Sequence, residues 1–119
     1  MAKKTTSWEA IVKLAQGLPD VEEGVAWGSP ALKAKGQMLA CVPTHKSAEP
    51  DSLAVRIDFD QREGLLADAP DVYYLKDHYV NYPVVLVRLS RIDPGALRDL
   101  LEGARRFVTA KRPARKRTR

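Results

Sequence analysis

The sequence predicts an α+β domain in which an N-terminal and a C-terminal helix pack on one face of a mainly antiparallel sheet. Both ends of the chain carry apolar residues at three- and four-residue steps, as amphipathic helices do. Between them, apolar residues recur at every second position in several short segments, which is typical of strands. Short loops join most of these segments, which favours antiparallel neighbours. Because each terminal helix has one apolar side, we expect a two-layer sandwich.

Three helices are predicted from their apolar spacing and their capping residues. The first covers residues 6–19 and begins with Thr6, which has Glu at the third position after it, as in a capping box. A shorter helix is predicted for residues 60–70, with Asp60 as its cap. The last helix follows Asp93, and proline occupies its first position, where a missing N–H costs nothing.

The strands are predicted from alternation and from turn residues. Residues 30–43 should form a hairpin that turns near Lys35–Gln37, and an extra short strand is expected at residues 24–27. The segment 53–59 alternates, with Phe59 inward and Arg56 outward. Two more strands, "VYYLKDHY" and "PVVLVRLS", should be joined by a turn around Val80–Pro83. The sheet face opposite the helices is then expected to be open to solvent and to carry Lys33, Lys35 and Arg56.

Length and charge predict one domain over residues 1–110 and a basic, disordered tail over residues 111–119. The net charge of the whole chain is +5. Six positive charges lie in the tail, so residues 1–110 alone have a net charge of −1. Six charges in nine residues attract phosphates whatever the sequence of the nucleic acid. The tail residues predicted to bind nucleic acid are Lys111, Arg112, Arg115, Lys116, Arg117 and Arg119.

The location predicted for the protein is the cytoplasm. A single cysteine, Cys41, cannot form an internal disulfide, which fits a reducing compartment. The N-terminal lysines are not followed by an apolar segment, so no secretory signal is predicted, and the longest apolar run is far too short to span a bilayer.

Catalytic and metal-binding patterns are absent from the sequence, so we expect a protein that is not an enzyme and has no cofactor or metal. Cys41 precedes His45 by four residues, but a proline separates them, and the cysteine is expected in the core. His45 is expected to be solvated in a polar loop. The acidic segment "DVEE" at residues 20–23 lacks the spacing of a calcium loop.

The aromatic residues leave two interpretations open. All four tyrosines lie within residues 73–82, around His78. Beside lysine, asparagine and histidine they suit base stacking or phosphate hydrogen bonds, but they also suit strand edges that close a core, which is the more frequent case. Trp27 presents the same choice between stacking on a ligand and covering the end of the core.

Two long stretches resemble the MmcQ/YjbR family of small bacterial proteins, which are commonly described as DNA-binding. They are "LPDVEEGVAWGSPALKAKGQMLACV" and "VYYLKDHYVNYPVVLVRLSRIDPGALRDLLEGARRFV", and the likeness covers residues 7–110. The resemblance implies a fold like that of the bacterial frataxin homologue CyaY and a double-wing mode of DNA binding by projecting hairpins. It would place Lys33, Lys35 and Arg56 against phosphates, with Lys76, His78 and Tyr79 on the second hairpin.

The sequence therefore predicts a non-enzymatic DNA-binding protein that contacts phosphates through a basic sheet face and the tail. The alternative is a small-molecule binding or sequestration module with a shallow aromatic site near Trp27 and His78. Metal handling by analogy with the frataxin fold would need an acidic ridge on the first helix, which carries only Glu9. No protein partner is indicated.

Overall fold

The computed structural model describes residues 7–110 of the chain. The N-terminal six residues and the predicted tail lie outside this range. In chain order, the elements of the described residues are α1 (Trp8–Ala15), β1 (Val21–Ala26), β2 (Ser29–Ala34), β3 (Gln37–Cys41), β4 (Ser52–Arg56), α2 (Phe59–Asp68), β5 (Tyr73–Tyr74), a 3-10 turn (Asp77–Tyr79), β6 (Val84–Arg88) and α3 (Pro94–Thr109).

The six strands form one sheet in the order β1-β2-β3-β4-β6-β5, and every neighbouring pair is antiparallel. This confirms the predicted α+β class and the antiparallel sheet. The strand predicted at residues 24–27 is longer than expected, since β1 pairs along its whole length with β2 from Val21 opposite Ala34 to Ala26 opposite Ser29.

Two tight turns produce the first two hairpins. Trp27 and Gly28 connect β1 to β2 with φ values of 56° and 75°, and Lys35 and Gly36 connect β2 to β3 with φ values of 51° and 81°. Two consecutive positive φ values match the twist of antiparallel strands, as in type I′ turns. The predicted turn near Lys35–Gln37 is therefore confirmed, and the Trp-Gly pair is itself a hairpin turn.

The main core lies between the sheet and the two terminal helices, as predicted. Ile11 and Ala15 of α1 and Leu97, Leu101 and Ala104 of α3 belong to one cluster with apolar residues of the sheet. Each of these side chains is at most 1% exposed. Burial of a leucine or isoleucine side chain contributes about 1.5–3 kcal/mol, so this layer is the main apolar contribution to folding.

Helix starts agree with the prediction at α3 and differ by one or two residues elsewhere. The Asp93 side chain accepts the Ala96 N–H at 3.1 Å, as expected. At α1 the cap is Ser7, whose hydroxyl accepts the Ala10 N–H, while the predicted cap Thr6 lies outside the described residues. At α2 the cap is Asp58 rather than Asp60. β4 therefore ends at Arg56, and the predicted inward residue Phe59 is 46% exposed.

The second face of the sheet is not open, which corrects the prediction on which the basic surface depended. β5 is only two residues long, and the chain then leaves the sheet edge and returns to β6 through residues 75–83, called here the crossover. Tyr79 of the crossover is 2% exposed and belongs to a second apolar cluster that includes Ala31, Cys41 and Ala54. Because these small residues leave room for the tyrosine ring, both faces of the central strands are buried.

Candidate functional site

The two lysines of the first predicted wing lie at different places on β2 and its turn. The methylene chain of Lys33 packs over Gly24 of the neighbouring strand β1, and its Cδ stands 3.3 Å from where a Cβ on Gly24 would be. Lys35 lies in the β2–β3 turn, where its Nζ is 3.9 Å from an Asp20 carboxylate oxygen. An exposed ion pair of this length is weak, but it reduces the positive potential at the hairpin tip.

Arg56 does not share a surface with these lysines. Its side chain lines a cleft between α2 and α3, and its guanidinium carbon is 5.8 Å from the centre of the Phe107 ring. Burial lowers the pKa of this guanidinium from its ordinary value. The predicted surface of Lys33, Lys35 and Arg56 is therefore divided between separate parts of the molecule.

The crossover separates the three residues predicted on the second wing. Lys76 is half-buried, with its Nζ 5.8 Å from the centre of the Tyr74 ring, and His78 is exposed. Tyr79 is a core residue, and burial raises the pKa of its hydroxyl. Tyr73 and Tyr74 are buried as well, whereas Tyr82 is 47% exposed. Three of the four tyrosines are therefore core residues, and the fourth, Tyr82, is accessible to a ligand.

The exposed aromatic side chains converge on one small pocket. The rings of His45 and His78 stack with their centres 3.8 Å apart and their planes 13° from parallel. The centre of the Tyr82 ring lies 6.1 Å from that of His78, and the centre of the Trp27 ring lies 6.4 Å from that of Tyr82. The pocket has a volume of about 230 Å³, and its lining residues are Trp27, Thr44, His45, His78, Tyr79 and Tyr82. We call it the aromatic pocket.

Three connections of the sheet hold this pocket in place. The turn between β1 and β2 carries Trp27, whose side chain is 54% exposed and so does not cover the core. The loop after β3 supplies His45, whose Nδ1 lies 2.8 Å from the Ser47 hydroxyl. Tyr79 packs edge-on against both histidine rings, 4.8 Å from His78 and 6.3 Å from His45. A buried tyrosine thus forms the floor beneath two stacked rings.

The crossover is fastened from the other side by Arg62 of α2, a residue that the sequence analysis did not single out. Its guanidinium donates to the carbonyl oxygens of Val80, Tyr82 and Val84 at 3.1, 2.8 and 3.2 Å. Arg62 is 5% exposed, and it is the one buried residue of α2. Because Tyr82 belongs to the crossover, Arg62 positions one wall of the aromatic pocket through the backbone of Tyr82, although Arg62 does not itself line the pocket.

One histidine of the aromatic pocket, His45, has a perturbed pKa. The pKa of His45 is lowered by partial burial of its ring, then by the neighbouring charges of His78 and Lys46. A neutral imidazole at physiological pH presents an uncharged stacking surface. Lys46 directly follows His45 and is exposed, and Lys76 lies two residues before His78. Of these two lysines, Lys46 is close enough to His45 to affect its pKa, whereas the ammonium group of Lys76 lies over the Tyr74 ring.

Cys41 lacks the environment of a nucleophile. It is fully buried, and burial raises the pKa of its thiol to about 11. The thiolate, which is the reactive form, is scarce at neutral pH under those conditions. Within residues 7–110, no three metal-ligating side chains come together, and no helix is both long and apolar enough to cross a membrane. The predicted tail residues lie beyond the described part of the chain.

A family model described as YjbR matches residues 16–107 of this sequence, most of the described domain. The chain belongs to the YjbR family. Uncharacterised proteins of Mycobacterium tuberculosis and Mycobacterium bovis are 31% identical to it over 113 residues, covering 82% of this chain and 84% of theirs. The family resemblance seen in the sequence is confirmed.

A solved structure shares the fold of this YjbR-family chain. It is the crystal structure of the Deinococcus radiodurans protein DR2400, with the family-model domain DUF419. The two superpose with a TM-score of 0.70 at 21% identity, over 92% of this chain and 84% of that one. At that identity the likeness shows the architecture alone.

Proposed function

We propose that this chain is a non-enzymatic nucleic-acid-binding protein that stacks an unpaired base in the aromatic pocket. The observation that carries the proposal is the group of three accessible rings, Trp27, His78 and Tyr82, around one concavity. Aromatic platforms of this kind bind single strands with little sequence preference, because every base has a flat face on which another ring can stack.

The neighbouring charges favour an extended ligand with phosphates. Lys46 lies close enough to His45 to affect its pKa, so a phosphate beside a stacked base would meet this ammonium group. The six cations of the tail would add an attraction that does not depend on sequence. These charges are the reason to prefer nucleic acid over an uncharged aromatic compound.

The distribution of charge also favours single strands over duplex DNA. Residues 7–110 contain twelve basic and fifteen acidic side chains, and the basic side chains predicted to meet phosphates are divided between separate surfaces. A double-wing mode would need two projecting basic hairpins, but the connection from β5 to β6 is folded onto the sheet. We therefore place the contacts at the aromatic pocket rather than on a basic sheet face.

A second candidate is the binding of a small planar molecule, the alternative that the sequence left open. It is favoured by the size of the pocket, since about 230 Å³ accommodates one ring system rather than a length of strand. On this interpretation the lysines and the tail would not contribute to affinity.

The two candidates are separated by equilibrium binding of a labelled single strand of about twelve nucleotides, the matching duplex, and free nucleosides. We expect the single strand to bind more tightly than the duplex. Trp27→Asn, which keeps a residue suited to a positive φ, and His78→Ala should each weaken binding about tenfold, as the loss of one stacked base does. Val25→Thr is the control, because Val25 is exposed on the same hairpin.

The outcomes are unambiguous. Equal affinity for duplex and single strand, or no effect of Trp27→Asn, would rule out base stacking in this pocket. Binding of nucleosides or other planar compounds without binding of the strand would support the second candidate.

A truncation at residue 110 separates the pocket from the tail. For a single strand, the six tail cations should contribute about −4 to the slope of log affinity against log salt. The shortened chain should keep measurable binding with a slope of about −0.7 from Lys46. Complete loss of binding would mean that the domain contributes nothing.

A further inference from the structure

A cleft larger than the aromatic pocket lies on the other side of the sheet, between α2 and α3. Its volume is about 470 Å³, roughly twice that of the aromatic pocket. Most of its wall is apolar, which is the usual character of small-molecule sites. The lining residues that carry the argument are Arg56, Leu65, Asp68, Asp99, Leu100 and Ala104.

Arg56 is the unusual member of this wall. Its Nε is buried and has no hydrogen-bond partner among the described residues, and no described carboxylate lies within 4.0 Å of its guanidinium. Its charged group instead lies against the Phe107 ring, 5.8 Å from the centre. A partly buried cation without a counter-ion is costly, and an anion bound in the cleft would remove that cost.

Two glycines keep the cleft open. Gly64 of α2 and Gly103 of α3 lie within helices, and a Cβ added to either would meet no heavy atom within 4 Å. Glycine inside a helix is less favourable than alanine by up to about 1 kcal/mol. Packing within the protein does not require glycine at either position, and a side chain much larger than alanine at either one would fill part of the space between the two helices.

The cleft is polar at its two ends and apolar between them. Arg56 lies near the Phe107 end of α3, while Asp99 lies two turns earlier on the same helix, about 12 Å away along the axis. Asp68, at the last position of α2, also lines the cleft. One cationic end and carboxylates farther along admit a ligand with a single negative charge and disfavour one with two.

We propose that the cleft between α2 and α3 binds a small organic monoanion with an apolar body. Its carboxylate accepts hydrogen bonds from Arg56, including the unpartnered Nε–H, and its apolar part lies along Leu65, Leu100 and Ala104. The ligand differs in class and in location from the one assigned to the aromatic pocket, so the two sites stand or fall separately.

The test uses the full chain with octanoate as the anionic probe and 1-octanol as its uncharged counterpart, measured by titration calorimetry. We expect octanoate to bind at least about tenfold more tightly than octanol, the difference that a charged hydrogen bond supplies. Arg56→Met should bring the two affinities within about twofold, while octanol binding persists.

Two further variants keep the test decisive if Arg56→Met does not fold. Gly103→Leu should abolish binding of both probes by filling the cleft, whereas Gly103→Ala, its matched control, should retain binding. Trp27→Asn should leave octanoate binding unchanged. Equal affinity for the two probes, unchanged octanoate binding in Gly103→Leu, or no saturable binding at millimolar octanoate would overturn the proposal.

Discussion

Replacement of Arg62 by methionine should lower the free energy of unfolding more than replacement of any other charged side chain of α2 by an apolar one. Three guanidinium hydrogen bonds join α2 to the crossover and to the start of β6, at 2.8–3.2 Å from the carbonyl oxygens of Val80, Tyr82 and Val84. The guanidinium also lies 4.7 Å from the centre of the Phe59 ring. Methionine keeps an unbranched apolar side chain about as long as the aliphatic part of arginine, and it removes every one of these interactions.

The expected cost follows from two opposed effects. Hydrogen bonds to a charged donor contribute about 1.5–3 kcal/mol each, so three of them amount to several kcal/mol. Removal of a buried cation, whose Nε already lacks a hydrogen-bond partner within the described residues, recovers part of that through desolvation. The carbonyls of Val80 and Tyr82, which are only partly buried, can bond to water. We expect a net loss of about 2–4 kcal/mol, or a fall of about 10–25 °C in Tm.

Urea unfolding followed by circular dichroism measures this loss directly, with Arg91→Met as the control. Arg91 is exposed, so its replacement should change the free energy of unfolding by no more than about 0.5 kcal/mol. Arg62→Met should also weaken ligand binding at the aromatic pocket, since it frees the backbone that carries Tyr82. A loss of stability no larger than that of the control would refute the view that Arg62 fastens the crossover.

Three smaller predictions concern single residues. The pKa of Glu102 is held at about 2 by hydrogen bonds from Arg105 and Arg106, below its ordinary 4.5. The stability it contributes is therefore present above pH 4.5 and lost as the pH falls towards 2, and Glu102→Gln should flatten urea stability over that range. Cys41 should resist iodoacetamide until the chain unfolds, because its thiol is buried and has a pKa of about 11; rapid labelling of the native protein would contradict this. Gly28→Ala should cost about 1 kcal/mol in urea unfolding, because φ is 75° while a Cβ would meet nothing within 4 Å.

The features that could be predicted from sequence are those fixed within a few residues. The α3 cap at Asp93 and the turn at Lys35 and Gly36 depend on neighbouring backbone groups, so local residue types were sufficient to predict them. The end of β4 was misplaced for a local reason too. Asp58 and Asp60 are both suitable helix caps. Because Asp58 is the cap in the structure, Phe59 is the first residue of α2 and not the inward strand residue that alternation predicted.

The candidate site could not be assembled from the sequence because its parts meet only through long-range packing. His45 and His78 are 33 positions apart, and they stack because the crossover folds across the sheet. The course of the crossover depends on the packing of Tyr79 beside Ala31 and Cys41. It also depends on the hydrogen bonds from Arg62 to three carbonyl oxygens. Strand alternation assigns Arg56 to the outer face, but its long side chain at the end of β4 reaches the helical side instead.

Helix α2 is the element shared by the two proposed sites. Its Arg62 fastens the crossover that carries Tyr82, while its Gln61, Leu65 and Asp68 line the cleft against α3. Because its one buried residue is an arginine, α2 is attached to the domain by polar bonds more than by an apolar stripe. The variants at Trp27 and Arg56 each touch one site and leave α2 in place. If the two sites are independent, each of these variants should affect its own ligand alone, whereas Arg62→Met should affect both.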